Sequence, residues 1–512
     1  MIIVYHQNNT IVEVQFSEEI DVFANKSIAQ NLFEIAEKYP EHLIVWCLLE
    51  LKSNLNIDKL EIIFHNRRIM ASYNLSQYSF LPDTIGYIDE SLFVNVKKDV
   101  TYPTWKMSSD VGGIHASVLK ALKNEIKADL DFEYFLHSMA KLAMINGLFC
   151  YSEPLLVKGF STEVQKHNID YFLLFRFVKH HYKTRWIFLL FLNLFLYEKK
   201  IAVFPLFASL FYKQRSINEN ALNTITFQSS KKIIDQKKID IIIPTIGRKK
   251  YLYDFLKDLS RQTLQPKNVI IIEQNPDLDS ISELDFINTE NWPFCIKHQF
   301  INQAGACNAR NLALEKVENE WVFMADDDIR IQDDFLEKAF DFIKTEGVEQ
   351  VTFGCYEVNY PENKKEEQII QWDGFGSGCS IVKTKNIKGI FYNMSFEFGY
   401  GEDNDFGAQL RNAGFNIIYS PKPEIVHLKA PVGGFRTKPV LAWHRDTIQP
   451  KPSPTVMLYK ISNLKKQQLN GYKTVLFFKF YKHQKIKNPI KYLSSFRKQW
   501  ESSLFWAEKL KQ

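Results

Sequence analysis

Cysteine is scarce and scattered in this chain of 512 residues. The six, Cys47, Cys150, Cys295, Cys307, Cys355 and Cys379, include no C-x-x-C pair. Zinc ribbons and fingers need paired spacing, and a secreted disulfide framework needs compact, even sets, so neither class is indicated. Free thiols in a reducing cytoplasm are the simplest account. The start, Met1-Ile2-Ile3-Val4-Tyr5-His6, lacks a basic segment followed by an apolar one, and no secretory signal is read there. Long hydrophobic runs are also missing. The richest zone, Tyr171 to Tyr212, is broken by Glu198-Lys199-Lys200 into pieces of about a dozen residues, whereas a membrane span needs ~20. These pieces read as buried or interfacial helices. No internal repeat is legible, and no base-reading motif accompanies the basic segments, so nucleic acid is not expected as a partner.

What is present is ordinary in bulk and uneven in charge. Apolar residues make up 46% and charged ones 24%, the profile of a folded protein, and the length is too great for one core. The net charge of +5 conceals an asymmetry. Residues 451 to 512 hold fourteen Lys or Arg and two Glu, hence +12, which leaves −7 for the remainder. Aromatics such as Tyr492, Phe496, Trp500 and Trp506 are interleaved there. Such a tail suits peripheral association with an anionic membrane surface, or an anionic lipid-linked acceptor. It equally suits a helical segment that packs its aromatics on the protein and solvates its lysines.

The densest chemistry lies at Ala325-Asp326-Asp327-Asp328. Three carboxylates follow the apolar run Trp321-Val322-Phe323-Met324, which reads as a buried strand. Like charges so placed repel unless a cation or a solvated loop relieves them. Mg²⁺ is commonly held by one or two carboxylates plus substrate phosphates, and ligands of open α/β sheets bind at the carboxyl ends of strands. A metal–diphosphate site is one reading. A solvated turn leading to a helix near Asp333 is the other. Upstream, Ile239 to Ile243 and Val269 to Ile272 read as buried strands, with a helix between them that aligns Leu252, Phe255, Leu256 and Leu259. Ala304 to Val317 reads as a helix carrying Arg310 and Asn311. Alternating strands and helices predict a mostly parallel α/β sheet.

The order of these pieces resembles the GT-A fold of nucleotide-sugar glycosyltransferases, family 2 in particular. The resemblance rests on Pro244-Thr245 after the first strand, Ala309-Arg310-Asn311, Asp326-Asp327-Asp328, Gly376-Ser377-Gly378-Cys379-Ser380 and Gly401-Glu402-Asp403-Asn404-Asp405. It runs from about residue 238 to 437. It implies an inverting transfer of a hexosyl or N-acetylhexosaminyl group from a nucleotide diphosphate sugar to a hydroxyl of a glycan or lipid-linked glycan. The setting would be surface polysaccharide or glycoconjugate assembly, in the cytoplasm or peripherally at the inner face of the membrane. Asp326, Asp328 and His427 would hold Mn²⁺ or Mg²⁺, Asp326 also meeting ribose or a metal-bound water. Asp403 would be the catalytic base, and the neighbouring carboxylates Glu402 and Asp405 are expected to raise its pKa. Pro244, Thr245 and Arg248 would cradle the nucleotide. Glu273 would accept a hydrogen bond from uracil, with thymidine or guanosine as alternative bases. Arg310 would pair with phosphate, and Gly378 would let backbone approach the donor sugar.

Each assignment has a bland counterpart. Glu402 and Asp403 would also stabilise the first turn of a helix, His427 would also serve as a half-buried strand histidine, and Gly376 to Gly378 would also make a hairpin. A sugar-nucleotide nucleotidyltransferase is the alternative enzyme, although Pro244 to Lys250 has one glycine where that class carries a Gly-rich loop. A non-catalytic carbohydrate-binding module of the same fold is a third reading. The expected organisation is an α/β accessory domain at 1–213 with apolar helices near its end, a linker at 214–232, a GT-A catalytic domain at 233–440 and a basic aromatic helical tail at 441–512. Within the accessory domain, Leu43-Ile44-Val45-Trp46 and Leu60 to Phe64 read as strands, and Tyr102 to Trp105 and Asp110 to Gly113 as loops.

Overall fold

The structure, a computed structural model, describes residues 1–18, 25–75, 81–159, 170–431 and 439–511. Residues 432–437, the end of the stretch singled out by resemblance, lie outside the described residues. The chain forms two compact units. The first comprises Met1–Lys231 with Leu464–Phe480, and the second Lys232–Asn463 with the segment from Tyr481 onward.

The first unit is built on a seven-stranded mixed sheet. Its strands are β1 (Ile2–Gln7), β2 (Thr10–Gln15), β3 (Leu43–Leu48), β4 (Ile69–Tyr73), β5 (Tyr102–Pro103), β6 (Val111–His115) and β7 (Phe149–Ser152), in the order β2-β1-β3-β6-β4-β7-β5. Three segments differ from their sequence reading. Tyr102–Pro103 is the short edge strand β5, paired with β7, rather than a loop. Leu60–Ile63 is a short helix rather than a strand: Leu60 and Ile63 are buried while Ile62 is exposed, a spacing that fits a helical turn. Val111-Gly112-Gly113 lies in a central strand rather than a loop. A Cβ on Gly112 would sit 2.4 Å from the Trp46 ring, and one on Gly113 2.7 Å from the Phe64 ring. The glycines there make room for large neighbours across the sheet. Within 214–232, Leu222 and Ile225 are buried in this unit's core, and the Ile225 carbonyl accepts two hydrogen bonds from Arg68.

The second unit carries the other sheet: β8 (Ile239–Ile246), β9 (Asn268–Gln274), β10 (Cys295–Ile301), β11 (Trp321–Ala325), β12 (Ile329–Arg330), β13 (Gln350–Glu357), β14 (Ile370–Gln371), β15 (Cys379–Lys383) and β16 (Ile418–His427). The order is β10-β9-β8-β11-β15-β13-β16-β12, with β14 on β16. The first four are mutually parallel, as expected for buried apolar strands joined by helices. The antiparallel β15 then makes the sheet mixed. Helix Lys249–Ser260 buries Leu252, Phe255, Leu256 and Leu259, the stripe its sequence shows. Helix Pro489–Lys511 buries Tyr492, Phe496 and Trp500, one face at four-residue spacing. Those tail aromatics therefore pack into the protein, while Phe505 stays half exposed. Because β8 and β11 end side by side, their loops open on the same edge, where the acidic triplet emerges.

Candidate active site

A cleft of about 420 Å³ opens at that edge, within the range of small-molecule sites. It is lined by residues from the end of β8, the triplet after β11, the start of helix Ala306–Leu314, the segment around Phe396–Gly399, the start of helix Glu402–Asn412 and the end of β16. The acidic cluster near Asp327 and the one near Asp403 thus share one cavity.

The three aspartates have different surroundings. Asp326 is partly exposed to the cleft and accepts a hydrogen bond from Arg310 Nη2 at 3.1 Å. Its carboxylate packs on Gly378, where an added Cβ would lie 2.2 Å from Oδ2. Asp327 points inward: its oxygens accept from Thr245 Oγ1 at 2.7 Å and Arg248 Nη1 at 2.6 Å. Burial pushes its pKa up to about 6 against the pull of Arg248, so it is ionised at neutral pH. Burial disfavours the Arg248 cation, but Asp327 and Asp328 outweigh it and raise the guanidinium pKa. Asp328 is buried as well, yet its carboxyl falls to about 2. Contact with His427, the charge of Arg248 and the Ala430 amide at 2.8 Å together overcome desolvation. His427 Nε2 lies 3.3 Å from Asp328 Oδ1, and that contact raises the imidazole pKa.

Asp326, Asp328 and His427 each present one donor atom, and these atoms lie within 4.8 Å of one another. Two carboxylate oxygens and an imidazole nitrogen form a donor set suited to Mn²⁺ or Mg²⁺, with room for substrate oxygens on the cleft side. The residues present fit such an ion.

Across the cleft, Asp403 stands in the first turn of helix Glu402–Asn412, whose N-cap is Gly401 at φ +115° with no side-chain cap. Asp403 Oδ1 accepts a hydrogen bond from Ser377 Oγ, which in turn accepts one from Tyr392 OH at 2.7 Å. The side chain is two-fifths exposed to the cleft, but the surrounding protein raises its pKa, with Asp326 adding to the effect and Arg310 opposing it. Glu402 is pushed up to about 7, first by burial and then by Asp403. Asp405, by contrast, does not line the cleft and accepts from Gln409 and Asn463.

Arg310 joins the two acidic groups. Its Nη2 contacts Asp326, its Nη1 stands 4.0 Å from Asp403, and its guanidinium lies 5.4 Å from the Tyr392 ring centroid. Burial would lower its pKa, but Asp326, Tyr392 and Asp403 raise it. The neighbouring Asn311 side chain exchanges hydrogen bonds with the Tyr392 backbone, both at 2.8 Å, which holds that ring in place.

Residues 240–400 match the family model described as Glycosyl transferase family 2. The chain carries a family 2-like glycosyltransferase domain. The fold class read from the sequence is the one observed: a GT-A-type α/β domain, an N-terminal mixed α/β unit and a helical C-terminal region. Among solved structures, the chain is similar to residues 1–349 of S. aureus TarS, with 20% identity, a TM-score of 0.32, and coverage of 37% of this chain and 60% of that one. The TarS structure in complex with UDP gives 20%, 0.32, 38% and 61%. The one with UDP-GlcNAc gives 17%, 0.38, 53% and 83%. The chain thus spans about three fifths of the length of the first two. No curated protein matches the sequence.

Not every residue expected to meet the donor reaches the cleft of the glycosyltransferase domain. Pro244, Thr245, Arg248 and Arg310 line it. Glu273 does not: its carboxylate accepts from His298 Nε2 at 2.9 Å, Ser282 Oγ at 2.5 Å and the Glu283 amide at 3.0 Å. Side chains alternate along a strand, so its neighbour Gln274 faces the cleft instead and accepts from the Gly305 amide at 2.6 Å. Sequence reasoning also misses Glu397. That carboxylate accepts from the Cys307 and Asn308 amides at 3.1 and 2.9 Å and so caps the helix bearing Arg310. An acidic residue shortly before Gly401-Glu402-Asp403 is the only sequence signal for it. Ser377 lies inside a motif the sequence displays, while Tyr392 has no local signal.

Proposed function

We propose that this domain is a metal-dependent, inverting glycosyltransferase that moves a sugar from a nucleotide diphosphate donor to a hydroxyl of a glycan or lipid-linked glycan. One observation carries this reading: a three-donor set suited to a divalent cation and a carboxylate with raised pKa line the same cleft, with Arg310 between them. Asp326, Asp328 and His427 would hold Mn²⁺ or Mg²⁺. A cation bound there supplies neutralising charge for the departing diphosphate.

The chain's own residues do the rest. Arg310 stays cationic and adds positive charge beside Asp326. Asp403 accepts the acceptor hydroxyl's proton as that oxygen attacks the anomeric carbon from the face opposite the diphosphate. The bond to the diphosphate breaks with its electron pair leaving on phosphate oxygen. A single displacement from the opposite face, with Asp403 as base, inverts the configuration. Ser377, held by Tyr392, orients Asp403. Asp327 fixes Thr245 and Arg248 at the edge where the nucleotide would enter. A uridine donor remains the favoured choice on the family resemblance, with Gln274 rather than Glu273 as the side chain in reach. We place the activity in surface polysaccharide or glycoconjugate assembly, in the cytoplasm or peripherally at the inner face of the membrane.

The test is incubation of the full chain with Mn²⁺ and a panel of nucleotide sugars, following release of the nucleotide and change at the anomeric centre. Release that requires the cation, and a product of inverted configuration with a glycan acceptor, are the expected results. Activity indifferent to chelator, or a retained configuration, would sink the proposal.

A further inference from the structure

The first unit carries an exposed face of aromatic and cationic side chains, away from the residues that line the cleft. Helices Tyr171–His181, Arg185–Asn193 and Val203–Ser209 pack side by side. Leu174, Phe175, Phe177, Val178, Ile187, Leu190, and Leu206 turn into the core. The opposite side is unusually apolar for a free surface. Phe204, Phe207 and Phe211 recur at helical spacing and are 80%, 59% and 90% exposed, beside Phe188 at 51%, Phe195 at 47% and Ile201 at 68%. Pro205, Leu206 and Ser209 occupy the buried face of the same turns. Isolated exposed apolar residues are normal, whereas a set of large ones on adjoining helices marks an interaction site.

Charge selects the occupant. Between residues 171 and 216 there are eight Lys or Arg and one Glu; Arg176 and Arg215 pair with the buried Asp129, which leaves six cations against Glu198. Lys183, Arg185, Lys199, Lys200 and Lys213 are exposed. Lys199, at φ +58°, forms the turn between the second and third helices. Cationic side chains therefore border aromatic ones, with Tyr197 and Tyr212 half exposed among them. This combination matches the interface of an anionic bilayer, where apolar rings enter the acyl boundary and lysines meet headgroups. Rings exposed by 80–90% project outward, and a fluid interface accepts them without a preformed socket. Among the described residues no helix is long and apolar enough to cross a membrane, so contact would lie along the surface.

We propose that the face formed by helices Arg185–Asn193 and Val203–Ser209 and the turn at Lys199 binds anionic lipid surfaces by shallow insertion of Phe204, Phe207 and Phe211. This holds whether or not the cleft transfers sugar. The test is sedimentation of the full chain with vesicles of phosphatidylcholine alone or mixed with phosphatidylglycerol. The wild-type chain should bind the mixed vesicles, and bind phosphatidylcholine alone far more weakly. Phe204→Ser/Phe207→Ser/Phe211→Ser should lower partitioning onto mixed vesicles about tenfold or more. Lys199→Glu/Lys200→Glu should lower it further at low salt. Because all five side chains are exposed, both variants should melt where the wild type does. Unchanged vesicle binding in the triple variant would overturn the proposal. So would a triple variant that binds vesicles normally but turns a wild-type dimer into a monomer, which would assign the face to a second copy of the chain.

Discussion

His427 Nε2 stands 3.3 Å from Asp328 Oδ1, a contact made where β12 pairs with β16, with Ile329 opposite His427. The pairing of two strands remote in sequence thus completes the donor set that Asp326 and Asp328 begin. His427→Ala should weaken Mn²⁺ binding by about tenfold or more while the fold persists. Metal titration followed by calorimetry or thermal shift reads this directly. Unchanged affinity would remove His427 from the set.

Asp403→Asn should retain donor binding and lower transfer by about 10²–10⁴-fold, the usual worth of a positioned proton acceptor. Parallel donor titration and product assay separate the two effects. A variant that turns over normally would leave Asp403 as a helix-terminus residue only.

Proton uptake should be visible in both rate and stability. Asp403 has a raised pKa, so the acid limb of the rate profile should lie above the ordinary carboxylate range. Glu402 stands at about 7 in the folded chain against 4.5 for the free group. The folded state therefore holds this proton to higher pH than the unfolded state. Its contribution to stability is full below about 4.5 and is lost as pH rises through about 7. Glu402→Gln should flatten that decline. A Tm-against-pH curve that keeps its slope in the variant would contradict the assignment.

Asp327→Ala should cost about 3 kcal/mol, because it leaves Arg248 buried without its main partner and deprives Thr245 of its acceptor. Denaturant unfolding measures the loss. A change well below about 1 kcal/mol would mean that the pair is replaced by solvent rather than broken.

Gly378→Ala tests close approach. The new methyl would meet the Asp326 carboxylate at 2.2 Å, so the side chain must swing away. Metal affinity and transfer should fall together, with the melting temperature nearly kept. A variant with unaltered metal binding would show that Asp326 is not held by that packing.

Much of the second unit was legible in the chain itself. β8, β9 and β11 are apolar runs such as Ile239 to Ile243 and Val269 to Ile272, and burial on both faces requires that composition. Helix Lys249–Ser260 declares itself by its stripe. The first unit was less legible for a physical reason. Leu60–Ile63 is too short for periodicity to separate helix from strand, and Gly112-Gly113 suggests a loop until the Trp46 and Phe64 rings are known to lie against it. The orientation of Glu273 and Gln274 was equally hidden. Side chains alternate along any strand, and local sequence does not say which of two polar neighbours faces a cleft.

The residue types and their order along the chain set the chemistry on offer: carboxylates at a strand end, a second acidic pair before a helix, a late histidine and a cationic tail. Local periodicity and composition suffice for that, since they act over a few residues. Which of these groups meet was decided by strand order, because pairing β16 with β13 and β12 and inserting β15 beside β11 brings residues far apart in sequence to one edge. Tertiary packing also divided the labour among three adjacent aspartates. Asp327 turns inward to Arg248, Asp328 turns to His427 and Asp326 rests on Gly378, distinctions that arise from burial and partners and are absent from three identical letters.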